Sequence, residues 1–202
     1  MKRSPKLNLY TTSIIGGVYR GRKIDIPAID TTRSSKAILK ESLFDTLQFD
    51  LIDKNFVEVF AGSGSVGLEA LSRGAGACWF IEYYKATYEI LLNNIKRIDP
   101  SRSHHFLGDS FEKFALVYEL VKKSGVKSYF YFDPPFSTRE GMNDIYDKTI
   151  SLIESIEPNS CEKVIIEHMS MLELPRHIGA LEQIKCKKFG KSSLSYFAPK
   201  EN

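Results

Sequence analysis

From Phe56 onward the chain alternates short apolar runs with longer segments whose apolar residues recur every three or four positions. The runs Phe56-Val57-Glu58-Val59-Phe60, Cys78-Trp79-Phe80-Ile81, His105-Phe106-Leu107, Tyr129-Phe130-Tyr131-Phe132 and Val164-Ile165-Ile166 read as strands. Residues 65–72, 86–98, 111–123 and 144–157 read as the helices between them, and Gly74 stops the first. Strands alternating with helices predict a parallel sheet with helices on both faces and ligands outside the carboxyl ends of the strands. Both ends of the chain differ. Residues 183–189 and 194–197 read as a hairpin turning at Gly190-Lys191-Ser192. Residues 13–26 read as another, with Ser13-Ile14-Ile15 and Val18-Tyr19 flanking a tight turn at Gly16-Gly17, followed by the alternation Ile24-Asp25-Ile26. Ser34 or Ser35 is expected to cap a helix running to Leu47, with Ile38, Leu39, Ser42, Leu43 and Leu47 along its apolar stripe. There is no internal repeat and no low-complexity linker.

One strand carries chemistry at its end. The four aromatic residues 129–132 are followed at once by Asp133-Pro134-Pro135-Phe136. Proline has no N–H and cannot continue a central strand, so the sheet stops there. The chain leaves the sheet with a carboxylate, rigid peptide carbonyls and a flat apolar ring. That set suits a planar amine: acceptors for its N–H bonds and a face for its ring.

Three further features sit at strand ends. Phe60-Ala61-Gly62-Ser63-Gly64-Ser65-Val66-Gly67 matches G-x-G-x-x-G between a strand and a helix. Alone it fits a dinucleotide fold, an S-adenosylmethionine fold, or a turn packed for structural reasons. Glu82 follows the glycines by the spacing of an acid that accepts from ribose hydroxyls, unless it is an ordinary exposed strand-end acid. Asp109 could accept from an adenine amine with Phe111 as a wall, or simply cap the helix after it. A nucleoside lying across the sheet edge explains all three, and Asp133 then faces its reactive end.

Composition narrows the partner. The 202 residues fit one ordinary domain, and no apolar run approaches the ~20 residues that span a bilayer. The basic start lacks the apolar stretch of a signal peptide. Cys78, Cys161 and Cys186 show neither zinc nor CxxC spacing, so reduced thiols in a cytoplasmic protein are expected. The net charge of +3 hides an asymmetry: residues 1–40 carry nine basic groups against Asp25 and Asp30, whereas the remainder carries 19 basic and 23 acidic. A basic arm on a mildly acidic body suits a polyanion such as nucleic acid. The histidines show no metal-ligand pattern, and no metal is expected.

These residues resemble one family along nearly the whole chain. Residues 58–75, the glycine loop and its helix, are similar to the signature of the RsmD family, bacterial guanine-N2 methyltransferases acting on 16S ribosomal RNA. Ile14-Ile15-Gly16-Gly17 with Arg20-Gly21-Arg22-Lys23-Ile24, Lys40-Glu41-Ser42-Leu43-Phe44, the Asp133-Pro134-Pro135-Phe136 loop and the end from Phe189 to Tyr196 resemble the family's other segments. There are departures: Glu58 replaces an acid one carbon shorter, Arg33-Ser34-Ser35 replaces Arg-Pro-Thr, and Ile38 stands where the family has arginine.

The resemblance implies an α/β fold: a Rossmann-like class I S-adenosylmethionine-dependent methyltransferase with a seven-stranded mixed sheet and an N-terminal β-hairpin extension. Residues 1–50 would be the RNA-contacting arm, hairpin and helix, and 51–202 the methyltransferase domain. S-adenosylmethionine would be held by Phe60, Ala61, Gly62, Ser63, Gly64, Gly67, Glu82, Tyr83, Asp109 and Ser110. Arg20, Arg22, Lys23, Arg33 and Lys40 would meet RNA phosphates, and Asp133, Pro134, Pro135 and Phe136 would hold the target base. The substrate would be one guanine, number 966 in conventional numbering, in the small ribosomal subunit or its assembly intermediate. A monomer without metal or membrane partner is expected. Three rival readings are a nicotinamide-dependent oxidoreductase on the same glycine loop, an amino methyltransferase for DNA adenine or protein glutamine, and a non-catalytic ribosome assembly factor.

Overall fold

The computed structural model describes residues 8–28, 33–135 and 144–200; in the first helix, side chains are described from Lys36 on. A small antiparallel pair, β1 (Leu9–Ser13) and β2 (Lys23–Pro27), comes first, then helix α1 (Arg33–Leu47). Alternating units follow: β3 (Asn55–Glu58), α2 (Ser65–Ser72), β4 (Ala77–Glu82), α3 (Lys85–Ile98), β5 (Ser103–Leu107), α4 (Ser110–Lys122), β6 (Ser128–Phe132), α5 (Ile145–Glu154) and β7 (Cys161–Met169). The described chain ends with β8 (His177–Ile178), β9 (Leu181–Phe189) and β10 (Ser192–Pro199).

The main sheet runs β5-β4-β3-β6-β7-β10-β9-β8. Strands β3 to β7 are parallel, and β10 inserts antiparallel between β7 and β9. The sheet therefore has eight strands rather than the expected seven. The extra one, β8, pairs only two residues at the edge, too few to leave an apolar signal in the sequence. From β3 the chain builds first toward β5, then returns to build β6 and β7 on the other side. This reversal makes a switch point between β3 and β6, where open α/β sheets bind ligands.

Strand β6 is buried along its whole length. Tyr129 and Tyr131 enter one layer with Phe44, Phe56, Leu68 and Leu91, under α1, α2 and α3. Phe130 and Phe132 enter the opposite layer with Phe114, Tyr118 and Ile153, under α4 and α5. A strand covered on both faces has no polar side to alternate with, hence its unbroken aromatic run.

The N-terminal segment departs from expectation in three ways. Its pairing joins residues 9–13 to 23–27, so Gly16-Gly17 does not turn a tight hairpin. The glycines instead lie in a loop pressed onto α2. Val18 N donates to the Ser72 carbonyl at 2.8 Å, and Tyr19 N to the Ser72 hydroxyl at 2.9 Å. A Cβ on Gly17, whose φ is +75°, would fall 1.8 Å from the Ser72 oxygen, so backbone contact requires this glycine. Helix α1 begins at Arg33, which puts Ser34 and Ser35 inside its first turn rather than at its cap. Leu39, Leu43, Phe44 and Leu47 are buried, but Ile38 is 58% exposed and leaves the stripe.

Candidate active site

The glycine loop separates two uses of glycine. Gly64, at φ +76°, is the N-cap of α2, and a Cβ there would lie 2.4 Å from Leu91 Cδ1. A Cβ on Gly67 would lie 2.4 Å from Phe80 Cε1. These two let α2 sit tightly against α3 and β4. Gly62, at φ +54°, has open space where its Cβ would be, so the loop is approachable from that side. Ala61 N donates to Ile81 O at 2.9 Å, and the Ser63 carbonyl accepts from Asn94 Nδ2 at 2.9 Å, so the loop is tied down on both flanks.

Glu82, at the end of β4, is buried and closes this loop. Its Oε2 accepts from Gly62 N and its Oε1 from Tyr84 N, each at 2.7 Å. Burial pushes its pKa up, and the backbone N–H groups of Tyr84 and Gly62 oppose that shift. Each carboxylate oxygen has a second lone pair for a ligand hydroxyl. Tyr83 is exposed next to it, its ring 5.0 Å from that of Tyr84. At the end of β5, Asp109 caps α4, with Oδ1 accepting from Phe111 N at 2.8 Å. Ser110 is buried and its hydroxyl donates to the Val59 carbonyl, locking the α4 start to the end of β3. The Phe60 and Phe111 rings meet edge-on at 5.6 Å, an aromatic wall between those two strand ends. Gly62, Glu82, Asp109 and this wall together suit an adenosine: hydroxyl acceptors, an open glycine backbone and a flat apolar surface.

The amine side lies across the switch point. Asp133 is partly exposed, Pro134 buried and Pro135 partly exposed; Phe136 lies outside the described residues. Lys36 of α1 reaches over the sheet edge, its Nζ 3.6 Å from Asp133 Oδ2, and the Asp133 charge raises the Lys36 pKa. Glu58 is buried at the end of β3 and accepts from Gly67 N at 2.9 Å. Burial pushes its pKa up to about 8, and Asp133 adds to the shift.

The basic residues divide. Arg20 and Lys23 are exposed, with Lys23 Nζ 2.9 Å from the Ser13 hydroxyl. Arg22 is exposed too, but its guanidinium donates to the carbonyls of Arg97 and Ile98 and lies 5.3 Å from the Tyr19 ring, so it also caps the carboxyl end of α3. Lys40 corrects the expectation of a phosphate contact. It is 8% exposed, and its Nζ stands 3.6 Å from Glu69 and 3.5 Å from the Ser65 carbonyl. Burial lowers its pKa. The side chain of Arg33 lies outside the described residues.

Sequence reading passed over four residues that hold this arrangement. Lys36 was only one of the basic residues of the arm. Asn94, fully buried, bonds both β2 at Asp25 and the glycine loop at Ser63. Glu69, also fully buried, receives Ile15 N and Gly16 N at 2.8 Å each. Glu167 carries a legible signal: an acid directly after the apolar run 164–166, just as Glu82 and Asp133 follow theirs.

The family model described as "Conserved hypothetical protein 95" matches residues 12–198. "Ribosomal RNA small subunit methyltransferase D" of Escherichia coli K12 is 33% identical over 141 residues, 70% of this chain and 66% of that protein, so the match spans about two thirds of that relative's length. "Putative rRNA methyltransferase YlbH" of Bacillus subtilis is 25% identical across 91% of this chain and 97% of that protein. Among solved structures, the putative methyltransferase yhhF from Escherichia coli aligns with a TM-score of 0.73 at 25% identity, covering 96% of this chain and all of that one. The fold also matches SMU.776, a putative methyltransferase complexed with SAH, with a TM-score of 0.64 at 11% identity, over 97% of this chain and 57% of that one. With a family match over nearly its whole length, on an α/β sheet with a glycine loop between its first parallel strand and the helix that follows, the chain belongs to the Conserved hypothetical protein 95 family, which is the RsmD family.

Proposed function

We propose that this protein methylates the exocyclic N2 of one guanine in 16S ribosomal RNA, position 966 in conventional numbering, acting as a monomer in the cytoplasm on the small subunit or its assembly intermediate. One observation carries this reading. The order β5-β4-β3-β6 sets Asp109, Glu82, the glycine loop and Asp133 in a row along one sheet edge, so a nucleoside site and an amine site adjoin. The name of the Escherichia coli relative supports ribosomal RNA as the methyl acceptor.

S-adenosylmethionine supplies a methyl group already activated on a sulfonium. Gly62, Glu82, Tyr83 and Asp109 would hold its adenosine, with Phe60 and Phe111 excluding water. Guanine N2 is a poor nucleophile because its lone pair is delocalised into the ring. Asp133 and the Pro134 carbonyl accept its two N–H bonds, turning the lone pair outward and stabilising the charge that grows on nitrogen. Lys36 Nζ, itself an N–H donor beside Asp133, makes the kind of contact the amine would make. Phe136 is assigned to stack on the base once it leaves its helix.

The test is direct. Undermethylated 30S subunits are incubated with labelled S-adenosylmethionine, and the RNA is digested and analysed by mass spectrometry and primer extension. The expected product is N2-methylguanosine at one position. Label in adenine, in protein, or nowhere would overturn the substrate.

RNA binding is placed in residues 1–50, chiefly Arg20, Arg22 and Lys23. Arg20→Glu with Lys23→Glu is expected to weaken 30S binding uniformly. Its salt dependence should flatten by about one unit of slope for each phosphate no longer neutralised. Both charges are exposed, so the fold is unaffected. An unchanged slope in filter-binding titrations would move the RNA-binding surface elsewhere.

A further inference from the structure

Glu167 is a buried carboxylate with no part in the methyl-transfer steps above. Phe132 pairs with Ile166, so Asp133 and Glu167 follow side by side on adjacent parallel strands, which run about 4.8 Å apart. Glu167 lies opposite Leu194, and Tyr131, Ile165 and Leu194 share the core layer under α1. Alternation along the strands puts Asp133 and Glu167 on that same face. Glu167 is 2% exposed. Its Oε2 accepts the Tyr131 hydroxyl at 2.6 Å, while Oε1 has no partner at hydrogen-bond geometry among the described residues, although the Ser192 hydroxyl acts on the carboxylate. Buried polar atoms are nearly always satisfied, so an open carboxylate oxygen beside the amine site calls for a proton or a donor.

The neighbours of Glu167 define what that site can hold. They are Lys36 from α1, Tyr131 and Asp133 from β6, Tyr146 from α5 and Ser192 from β10, with Glu58 at the end of β3 acting on the same Tyr131 and Lys36. Glu58, Asp133 and Glu167 all act on the Lys36 ammonium, and Glu58 also acts on Lys40.

We propose that Glu167 is the second proton acceptor of the reaction, taking through Asp133 the proton that the target nitrogen loses. The inference rests on the reading that Asp133 holds the amine. Methylation leaves the nitrogen with one proton in excess. Its N–H bonding pair stays on nitrogen as the proton bonds to an Asp133 oxygen. The Asp133 O–H pair then returns to that carboxylate as the proton bonds to Glu167, directly or through one water. Glu167 releases it to solvent after the RNA departs. Burial, reinforced by the Asp133 charge, pushes the Glu167 pKa up to about 7, while Lys36 and the Tyr131 and Ser192 hydroxyls oppose that rise. A proton delivered to the pair therefore settles on the buried member, which restores Asp133 as an acceptor. Glu167 acts through Asp133 and does not touch the base.

Two measurements test this. The first is kcat on undermethylated 30S subunits against pH, for the wild type and for the nearly isosteric Glu167→Gln. Wild-type kcat should rise with pH through about 7 as Glu167 ionises. In the variant the plateau should fall about 10²-fold and the inflection at about 7 should vanish, any titration left near 8 belonging to Glu58, with S-adenosylhomocysteine affinity unchanged. A wild-type plateau through that range, or the inflection at about 7 retained in the variant, overturns the proposal. The second is a carbon-13 titration of glutamate-labelled protein without substrate. A resonance absent from Glu167→Gln should titrate near neutrality and move to lower pH in Asp133→Asn, which removes the neighbouring negative charge. Titration of Glu167 in the ordinary carboxylate range overturns it too. Because the second measurement needs no RNA, a wrong substrate would be recognised separately, by the failure of the wild type to form N2-methylguanosine.

Discussion

Asp133→Ala lowers kcat for methyl transfer by about 10³-fold while S-adenosylhomocysteine still binds with near wild-type affinity. The magnitude is that of removing a preorganised group from a site where charge develops during the reaction. Asp133 stands at the end of the fully buried strand β6, held by an immobile aromatic core and stiffened by two prolines. Its position costs no reorganisation when the amine arrives. The cofactor contacts proposed for Gly62 and Glu82 lie across the switch point from Asp133, hence the separation expected between the two readouts. Asp133→Asn keeps an acceptor oxygen but loses the charge, so its activity should fall between the two. Single-turnover assays with labelled S-adenosylmethionine, beside calorimetry of S-adenosylhomocysteine, measure both. Full activity of Asp133→Ala would remove this residue from the mechanism.

Glu69→Ala is expected to cost about 3–5 kcal/mol of folding stability, although Glu69 has no part in the proposed methyl transfer. Its carboxylate is completely buried and is the meeting point of three segments. Ile15 N and Gly16 N donate to it from the arm, Arg73 Nε from the end of α2 at 2.9 Å, and Lys40 Nζ stands 3.6 Å away from α1. Alanine leaves two backbone donors unsatisfied and the buried Lys40 ammonium without a counter-charge. In urea the midpoint should fall with little change in slope, and thermal unfolding should occur roughly 10 °C lower. Hydrogen exchange at Ile15 and Gly16 should accelerate beyond the global effect, because the arm loses its anchor. A loss below about 1 kcal/mol would mean that the ion pairs are replaceable by water.

Much of the candidate site was legible because the edge of a parallel sheet is written locally. A strand, a turn and the residue at its end are neighbours in sequence, so Gly62, Glu82, Asp109 and Asp133 are each found beside an apolar run. Their assembly into one row follows from the regularity of β–α–β units. Helix α2 was read at its observed limits, since an apolar stripe between the glycine loop and Gly74 leaves no other choice.

What escaped was long-range. Nothing near Lys40 marks it as buried; its neutralising partner is Glu69, brought there by the fold. Lys36 and Arg20 look alike in the sequence, yet one reaches Asp133 and the other faces water. The Gly16-Gly17 pair suits a tight turn equally well as a close backbone approach, and the Ser72 carbonyl decides between them.

The sequence by itself determined the class of sheet, the strand ends that bear the acids and glycines, and the family, because each is encoded by residues adjacent along the chain. The tertiary structure alone decided which charges are available. It buried Lys40, used Arg22 to cap a helix, set Lys36 against Asp133 and placed Glu167 beside Asp133 with an oxygen to spare. A charge acts according to its solvent exposure and its partners within a few ångströms, and both are set by packing between segments remote in sequence.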